Sequence, residues 1–348
     1  MEKPVTITIN TENLVRETGV DHLEALPRDV SPRHYYRGRK DGHDVIVMVY
    51  PDADEVSQKE LASFIDIGTS LEAQGIKTPS TYGSNQEKCY AVLEDLGTRS
   101  YGDCLRQGIM RAEDIYQAGT DVLTRLRDVT DVDGLPLYKD SGIYQKRRQL
   151  VDYYMSLKRG AHPGEQTVQS FLSVWDEIEQ SLPPCPLGFV HGDYHLENLM
   201  YVEEEQGIRQ CALIDYQDAL HGPLPYDLVN LLEDARVDIP EDIHLDMINR
   251  YCAGMSAEEK DAFLQWFRVL AAQFHGRVIG LFIKLAAEQN RDSYLVHIPR
   301  LQNYLKKSLQ DPVLAPLKAW FDKEGLDLEA INDLDGNHIR NIFRNIEF

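Results

Sequence analysis

The sequence is short of positive charge. Its 36 Lys and Arg residues are outnumbered by 57 Asp and Glu residues, which gives a formal net charge of -21. A surface that follows nucleic-acid phosphates needs an excess of cations, so this deficit argues against a nucleic-acid partner. The same charge is compatible with a cationic substrate. We favour the simpler interpretation that solvated acidic segments such as 52–55 and 203–205 keep the protein soluble.

Cysteines and uninterrupted apolar runs are also scarce. The five cysteines, at positions 89, 104, 185, 211 and 252, are scattered, which predicts small core side chains in a reducing compartment. The first residues show no basic flank followed by an apolar core, so no signal peptide is expected. Polar residues interrupt the longest apolar stretch, 269–287, which predicts a buried helix. We therefore expect a cytoplasmic protein without a membrane partner.

Two common nucleotide-binding motifs are missing as well. Neither Gly-x-Gly-x-x-Gly nor Gly-x4-Gly-Lys-Ser/Thr occurs anywhere in the chain. What the chain does have is sufficient material for a large fold. With 348 residues, 43% of them hydrophobic, it can form two lobes with a sizeable core.

The most informative segment that is present runs over residues 189–200 and is followed by a second at 212–218. Together they place Asp193, Asn198 five residues later, and Asp215 after a short connection. One carboxylate can accept the proton of an attacking hydroxyl, while the amide and the second carboxylate can hold Mg²⁺ against nucleotide phosphates. This set predicts a phosphoryl-transfer site.

The connection between these residues reads as a hairpin. Apolar residues 199–202 and 211–214 predict two strands joined by a polar tip at 203–207. Such a hairpin would bring Asp215 back beside Asn198.

Two other interpretations of this region fit the pattern less well. An isolated Asp-x4-Asn is most often part of a surface loop, but the apolar flanks and the second Asp argue against that. His191, Asp193 and His195 have a spacing that could ligate zinc. A zinc site would leave Asn198 and Asp215 without roles, so we favour the phosphoryl-transfer interpretation.

The strings 191–198 and 214–218 resemble the catalytic loop and the metal-binding segment of the aminoglycoside phosphotransferase superfamily, the small-molecule branch of the protein-kinase-like fold. The resemblance implies an α+β, two-lobed fold. A small antiparallel-sheet N-lobe, residues 1–95, would bind the nucleotide. A larger, mainly helical C-lobe, residues 96–348, would carry the catalytic loop, the metal site and the acceptor site.

The same resemblance implies the cofactors and the roles of individual residues. ATP and Mg²⁺ would be the cofactors. Asp193 would be the catalytic base, Asn198 and Asp215 would be the Mg²⁺ ligands, and His191 would organise the loop.

Further blocks resemble the N-acetylmuramate/N-acetylglucosamine 1-kinase family. They lie at residues 31–37, 91–97, 215–219, 221–223, 226–228, 280–285 and 294–300. This resemblance implies in-line transfer of the ATP γ-phosphate to the anomeric hydroxyl of an amino sugar, and we expect a monomer. An aminoglycoside or choline kinase and a non-catalytic nucleotide-binding protein remain as alternatives.

The sequence departs from the wider kinase group in one position. Those proteins carry a Lys on the third strand, whereas the corresponding strand here offers Met48, and the sugar kinase family that the chain resembles also lacks this Lys. Ser31, Arg33, Tyr35 and Arg37 alternate along the first hairpin and would share a face. The guanidinium groups of Arg33 and Arg37 could hold the phosphates instead, or the two arginines could simply lie on an edge strand.

Three further residues are expected near the nucleotide. The backbone of Glu94 and Leu96, in the hinge after a predicted strand, would contact the adenine, as the resemblance implies. Glu60 could orient the phosphate-binding cation, or it could complete a capping box at a helix start.

The acceptor side is less determined. Gln217 and Asp218 could bind sugar hydroxyls or could cap the next segment. Asp227 precedes an apolar helix and is expected to accept backbone N–H groups of the catalytic loop rather than to contact substrate.

Periodicity predicts the following elements. They are an N-terminal helix up to about residue 27 with Val15, Val20, Leu23 and Leu26 inside, a hairpin over 30–50 turning at Asp41-Gly42, a helix from a capping box at Ser57 through Gln74, a strand at 90–93, and helices near 111–129, 143–158, 165–181, 226–236, 242–252, 256–289 and 297–309.

Overall fold

The computed structural model describes residues 10–27, 33–129, 132, 134–329 and 334–346. The strands are β1 (Leu23–Ala25), β2 (His34–Lys40), β3 (His43–Val49), β4 (Thr81–Asn85), β5 (Tyr90–Glu94), β6 (Leu187–Val190), β7 (Leu199–Tyr201), β8 (Cys211–Leu213) and β9 (Leu220–Pro223). The α-helices are α1 (Thr11–Thr18), α2 (Glu55–Ala73), α3 (Tyr101–Arg106), α4 (Ala112–Arg127), α5 (Gly142–Gln145), α6 (Ser156–Arg159), α7 (Glu165–Ser181), α8 (Pro225–Leu232), α9 (Glu241–Tyr251), α10 (Ala257–Gln289), α11 (Ile298–Ser308), α12 (Ala315–Glu324) and α13 (Gly336–Phe343).

The chain divides into two compact units. The first unit is Met1–Asp131 with Leu196–Ala219, and the second unit is Val132–His195 with Leu220–Phe348. This division departs from the predicted boundary at residue 95, because the β7–β8 hairpin is bonded to the part of the chain that carries the large sheet. The N–H of Leu213 donates to the carbonyl of Lys77 at 2.8 Å.

The first unit contains a five-stranded antiparallel sheet in the order β1-β2-β3-β5-β4. Asp41 and Gly42, with φ of 50° and 83°, make the predicted tight turn between β2 and β3. Positive φ at both central residues gives a turn whose twist matches that of the strands. One cluster of buried residues consists of Leu14, Val20, Tyr36, Val45, Val47, Val49, Tyr90 and Val92.

Two local predictions in this unit were wrong in detail. The first helix ends at Thr18, because Gly19 takes the left-handed conformation at φ 68° and donates its N–H to Val15. The helix α2 begins earlier than predicted, because Asp54 is its N-cap and accepts the N–H of Ser57 at 2.8 Å. Ser57 is therefore inside the helix, and the capping-box interpretation of Glu60 falls with it.

The second unit is mainly helical and is organised around α10. This helix packs against α8, α11 and α13. It is the one helix within the described ranges with the length and composition of a membrane span, but 78% of its apolar window is buried inside the protein. That burial is typical of the core helix of a soluble protein, as the interrupted apolar pattern predicted. Residues 143–158, predicted as one helix, combine α5, a 3₁₀ turn, a π-helical turn and α6.

Candidate active site

The loop after β6 lies in the second unit and is held by one buried carboxylate. We call residues 191–195 the Asp193 loop. Asp227, near the start of α8, accepts the N–H of His191 at 2.6 Å and that of Gly192 at 3.0 Å. Gly192 has φ 89°, a conformation that suits glycine. These are the hydrogen bonds expected of a carboxylate that supports the loop.

The carboxyl of Asp227 has an unusual environment. Its side chain is only 2% exposed. Burial raises its pKa to about 6, and the nearby charge of Asp193 raises it further, although the charge of His191 and the two backbone donors oppose the shift. The group therefore changes charge close to neutral pH, which is unusual for a carboxyl group.

Asp193 presents its carboxylate to solvent. Its side chain is 61% exposed, and its Oδ2 lies 3.4 Å from Nε2 of His195. Local desolvation alone would raise its pKa, but the hydrogen bond to His195 and the charges of His195, His191 and Arg236 outweigh that and lower the pKa. Asp193 is thus ionised at neutral pH, in a state that can accept a hydrogen bond or a proton.

Asn198 and Asp215 lie in the first unit, at the same end of the β7–β8 ladder. Leu199 pairs with Leu213, and the N–H of Ile214 donates to the carbonyl of Asn198 at 3.1 Å. The predicted hairpin therefore does return Asp215 to the neighbourhood of Asn198. Asp215 has φ 63°, a left-handed conformation that Asp tolerates better than most residues.

The carboxylate of Asp215 is covered by an arginine. Nη2 of Arg33 lies 2.5 Å from Oδ1 of Asp215, and Nη1 of Arg33 donates to Oε1 of Gln217 at 2.8 Å. Gln217 in turn donates from Nε2 to Oδ1 of Asp215 at 3.1 Å and to Asp218 at 3.0 Å. We call Arg33, Asp215 and Gln217 the Asp215 group. The side chain of Arg33 is only 8% exposed, so this pair is screened from water on one side.

Tyr216 connects the Asp215 group to α2. Its ring stacks on Phe64 at a centroid separation of 4.8 Å, and a Cβ added at Gly68 would lie 2.4 Å from its hydroxyl oxygen. Glu60, on the same helix, has a raised pKa. Burial is the main cause, and Asp218 raises the pKa while Arg33 lowers it. Glu60 is therefore close enough to feel both charges.

The other predicted cation is placed elsewhere. Arg37 binds the hinge, since its Nε lies 2.5 Å from Oδ2 of Asp95 and its Nη2 donates to the carbonyl of Gly97 at 3.0 Å. The structure thus brings Arg33 but not Arg37 to Asp215. Ser31, the remaining predicted phosphate contact on this segment, lies outside the described residues.

The hinge is fixed by a lysine that sequence reasoning missed. Nζ of Lys77, whose side chain is 4% exposed, donates to Oε2 of Glu94 at 2.5 Å. Burial would raise the pKa of Glu94, but Lys77 and the N–H of Ser80 lower it. Leu96 packs with Val202 and other apolar residues of the hairpin. Nothing in the local pattern around Lys77 marks it, because its partner is 17 residues away in sequence.

The residues present suit Mg²⁺ better than zinc. Within the part of the chain that the structure describes, no group of three or more His, Cys, Asp or Glu side chains could hold a metal ion, which disfavours the His-Asp-His alternative. Asn198 and Asp215 offer hard oxygen ligands, and a site with few protein ligands is typical of Mg²⁺. In this structure the guanidinium of Arg33 is the positive charge that lies beside Asp215.

Comparisons with known proteins agree with this chemistry. Residues 22–264 match the phosphotransferase enzyme family. The chain is 29% identical to an N-acetylmuramate/N-acetylglucosamine kinase of Pseudomonas aeruginosa over 307 residues, covering 86% of this chain and 88% of that protein. It is 30% identical to the protein of the same name from Caulobacter vibrioides over 270 residues, covering 75% and 74%.

The fold is similar to that of a solved choline/ethanolamine kinase family protein from Mesorhizobium loti, with a TM-score of 0.58 and 13% identity over 89% of this chain and 98% of that one. This likeness confirms the predicted α+β, kinase-like fold. The family match covers more than half of the chain and includes both the Asp193 loop and the Asp215 group. The chain therefore belongs to the phosphotransferase enzyme family.

Proposed function

We propose that this protein is an ATP-dependent kinase that phosphorylates the anomeric hydroxyl of N-acetylmuramate and N-acetylglucosamine. The observation that carries the chemistry is the exposed, ionised carboxylate of Asp193 on a loop held by Asp227. The sugar assignment is supported by the names of relatives that match this chain over three quarters or more of its length.

Asp193 acts on the acceptor hydroxyl. Its carboxylate accepts a hydrogen bond from the hydroxyl and orients the oxygen towards the γ-phosphate. It takes the proton as the new phosphorus–oxygen bond forms, while the bond between the γ-phosphorus and the β–γ bridging oxygen breaks and ADP leaves. His195 and the backbone bonds of the loop fix the carboxylate in this position. A lowered pKa makes Asp193 a modest base, which suits a loose transition state in which the proton is transferred late.

Asn198 and Asp215 would hold Mg²⁺, and the ion would supply positive charge to the nucleotide phosphates. Arg33 supplies the cation that other kinases take from the third strand. Its guanidinium is on Asp215 at 2.5 Å and can turn its fork towards a phosphate oxygen once Asp215 has another partner. Glu60 would orient Arg33 at longer range.

The remaining predicted residues would contact either the adenine base or the acceptor. The backbone at Glu94 and Leu96 would bind the adenine, with Lys77 and Arg37 holding the hinge in place. Gln217 and Asp218 would contact the acceptor. We also propose that the protein acts in the cytoplasm as a monomer.

The test is phosphate transfer from radiolabelled ATP with Mg²⁺ to a panel of N-acetylmuramate, N-acetylglucosamine, other hexoses, choline and kanamycin. We expect label on the two amino sugars in an acid-labile form, because an anomeric phosphate hydrolyses more readily in acid than other sugar phosphates. Label on kanamycin or choline alone would keep the kinase and overturn the sugar. ATP binding without transfer to any acceptor would instead favour a non-catalytic nucleotide-binding protein.

A further inference from the structure

The residue directly before Asn198 is a glutamate that the proposed mechanism does not use. Glu197 lies in the 3₁₀ turn Leu196–Asn198, which leads into β7. Its side chain is 33% exposed, so the surrounding structure covers most of it. No role was predicted for it from the sequence. Because it is the neighbour of a predicted Mg²⁺ ligand, whatever holds its side chain also restrains that ligand.

The carboxylate of Glu197 is bound by α3, the helix that follows the hinge. Its Oε2 lies 3.1 Å from the hydroxyl oxygen of Ser100 and accepts Nη2 of Arg106 at 3.1 Å, while its Oε1 accepts Nη1 of Arg106. A guanidinium that binds both oxygens fixes the orientation of a carboxylate. Asp103 holds both partners in place, since it accepts the N–H of Ser100 at 3.0 Å and Nη2 of Arg106 at 2.8 Å.

The backbone of α3 has room for this carboxylate only because residue 102 is glycine. A Cβ at Gly102 would lie 2.4 Å from Oε1 of Glu197 and 2.8 Å from Oε2. A larger side chain there would force the carboxylate out of its place. Arg106 is 55% exposed, and an exposed ion pair alone contributes little to stability. The close approach to Gly102 adds a geometric constraint that an ordinary surface ion pair lacks.

The backbone of Asn198 is therefore restrained from two directions. On one side, the side chain of Glu197 binds α3. On the other side, the N–H of Ile214, which follows β8, donates to the carbonyl of Asn198 at 3.1 Å. The residues just before α3 also pair with the end of β7, since the N–H of Tyr201 donates to the carbonyl of Arg99 at 2.9 Å. The turn that carries Asn198 is thus bound both to β8 and to the segment that follows the hinge.

We propose that Glu197 is a positioning residue that fixes the predicted Mg²⁺ ligand Asn198 to α3 and thereby to the end of the hinge. Resting on the proposed function, this inference extends it: the adenine-binding hinge and a metal ligand belong to one connected piece of the chain. A carboxylate that Arg106 already neutralises is a poor additional ligand, which favours positioning over direct coordination. Groups that orient metal ligands typically affect metal affinity about 10- to 100-fold.

A purely structural role makes a different prediction. If Glu197 only stabilised α3, metal affinity would follow the free energy of unfolding in every variant. The double variant Glu197→Ala with Gly102→Ala separates the two roles. The new Cβ fills part of the space that the carboxylate leaves, and alanine favours a helix more than glycine does. This variant should regain stability without regaining the position of Asn198.

The experiment titrates Mn²⁺, as a probe for Mg²⁺, into the protein held in excess over ADP, and measures free Mn²⁺ by electron paramagnetic resonance without any sugar. We expect Glu197→Ala to weaken Mn²⁺ binding about 10-fold. Gly102→Ala should weaken it similarly, because the added Cβ displaces the carboxylate. Glu197→Gln keeps the side-chain length and an acceptor oxygen, so it should keep most of the affinity. In the double variant, urea unfolding should show recovered stability while Mn²⁺ binding stays as weak as in Glu197→Ala.

Glu203→Ala is the matched control. Glu203 also pairs with an arginine of the same unit, Arg99, at 3.4 Å, but it lies beyond β7 and is not next to a predicted ligand. We expect its Mn²⁺ affinity to equal that of wild type.

The outcomes separate the two proposals. Mn²⁺ binding within twofold of wild type in both Glu197→Ala and Gly102→Ala overturns the role of Glu197 while the kinase stands. Recovery of Mn²⁺ binding together with stability in the double variant also overturns it, because the role would then be structural. A wild-type protein that binds no Mn²⁺ in the presence of ADP overturns both proposals. The expected binding differences without phosphate transfer to either sugar would support the role of Glu197 and overturn the sugar kinase alone.

Discussion

The Asp193 loop and the Asp215 group prepare their carboxylates in opposite ways. Asp193 is 61% exposed, and its Oδ2 lies 3.4 Å from Nε2 of His195. Asp215 is 36% exposed and lies 2.5 Å from a buried arginine. The first carboxylate is largely exposed to solvent, whereas the second already has a cation.

This difference indicates which of the two, the Asp193 loop or the Asp215 group, must rearrange when ligands bind. The Asp193 loop is fixed through backbone hydrogen bonds, so in the proposed mechanism it would need no change to receive an acceptor. In the Asp215 group, a metal ion would compete with Arg33 for the same carboxylate oxygen. We therefore expect changes in the loop to act on kcat and changes in the group to act on the binding of nucleotide and metal.

The largest effect should come from Asp193→Asn. The amide keeps the shape but cannot accept the proton, so kcat should fall about 10²- to 10⁴-fold while ATP binding is kept. Steady-state kinetics and equilibrium nucleotide binding check this, with Asp246→Asn on the exposed face of α9 as the matched control. Near-normal turnover in Asp193→Asn would show that Asp193 is not the base. The difference in exposure between Asp193 and Asp215 would then have no catalytic meaning.

The next effect concerns the other side of the comparison. Arg33→Met should weaken nucleotide binding about 10- to 100-fold, because a charged hydrogen bond to phosphate is lost. In the absence of nucleotide the same variant should bind Mg²⁺ or Mn²⁺ more tightly, because Asp215 no longer has a competing cation. Titrations with a fluorescent nucleotide and with Mn²⁺ measure both.

Arg99→Met is the control for this substitution, since Arg99 is an exposed arginine of the same unit that pairs with Glu203 at 3.4 Å. Unchanged affinities for both ligands in Arg33→Met would show that the Arg33–Asp215 pair is only structural.

Much of this contrast could be predicted from sequence, because it depends on local pattern. The hairpin turn at Asp41-Gly42 and the return of the chain to Asp215 follow from residues that are neighbours in sequence. The partners of the charged groups could not be predicted in this way. Arg33 and Asp215 are 182 residues apart, and the alternation over residues 31–37 could not predict that Arg33 would meet Asp215 while Arg37 met Asp95.

The wrong prediction of the helix start at Ser57 has a similar origin, although the residues concerned are close together in sequence. Ser57 and Glu60 have the spacing of a capping box, but Asp54 stands three residues earlier and caps the helix instead. Both are good N-cap residues, so pattern alone could not decide between them. The pairing of the buried Lys77 with the partly exposed Glu94 can be recognised only once the strands are in place.

A smaller effect concerns Asp227, the carboxylate that supports the Asp193 loop, and the pH dependence of the protein's stability. The pKa of Asp227 is about 6 in the folded protein, above the usual value of about 3.9 for an unfolded Asp. Between these values the folded state binds more protons, so this group makes stability fall as pH rises through the window from about 4 to about 6. The contribution is of order 3 kcal/mol, since each pKa unit corresponds to about 1.4 kcal/mol.

Asp227→Asn removes that titration, and it also leaves one loop N–H without its acceptor. The free energy of unfolding of wild type minus that of the variant should therefore be larger at pH 4.5 than at pH 7.5. Urea unfolding at the two pH values measures the difference. An identical difference at both values would show that Asp227 does not titrate in this window, and that its pKa is not what distinguishes it from Asp193.

The smallest effect tests whether α2 sets the position of the Asp215 group. Alanine usually stabilises a helix interior relative to glycine by up to about 1 kcal/mol. At Gly68 the added Cβ would lie 2.4 Å from the hydroxyl oxygen of Tyr216, a ring that is 1% exposed and stacked on Phe64. Because the ring has little room to move, we expect Gly68→Ala to lower the free energy of unfolding by about 1–3 kcal/mol.

Gly276→Ala in α10 is the matched control, since its Cβ would make only an ordinary contact with Leu150 at 3.5 Å. Adding Tyr216→Phe to Gly68→Ala removes the atom that clashes, so the double variant should recover part of the loss. If Tyr216 transmits the strain to Asp215, Gly68→Ala should also weaken Mg²⁺ and nucleotide binding a few-fold, with kcat for bound substrates little changed. A stability loss without any change in binding would mean that Tyr216 holds the helix but does not set the position of Asp215.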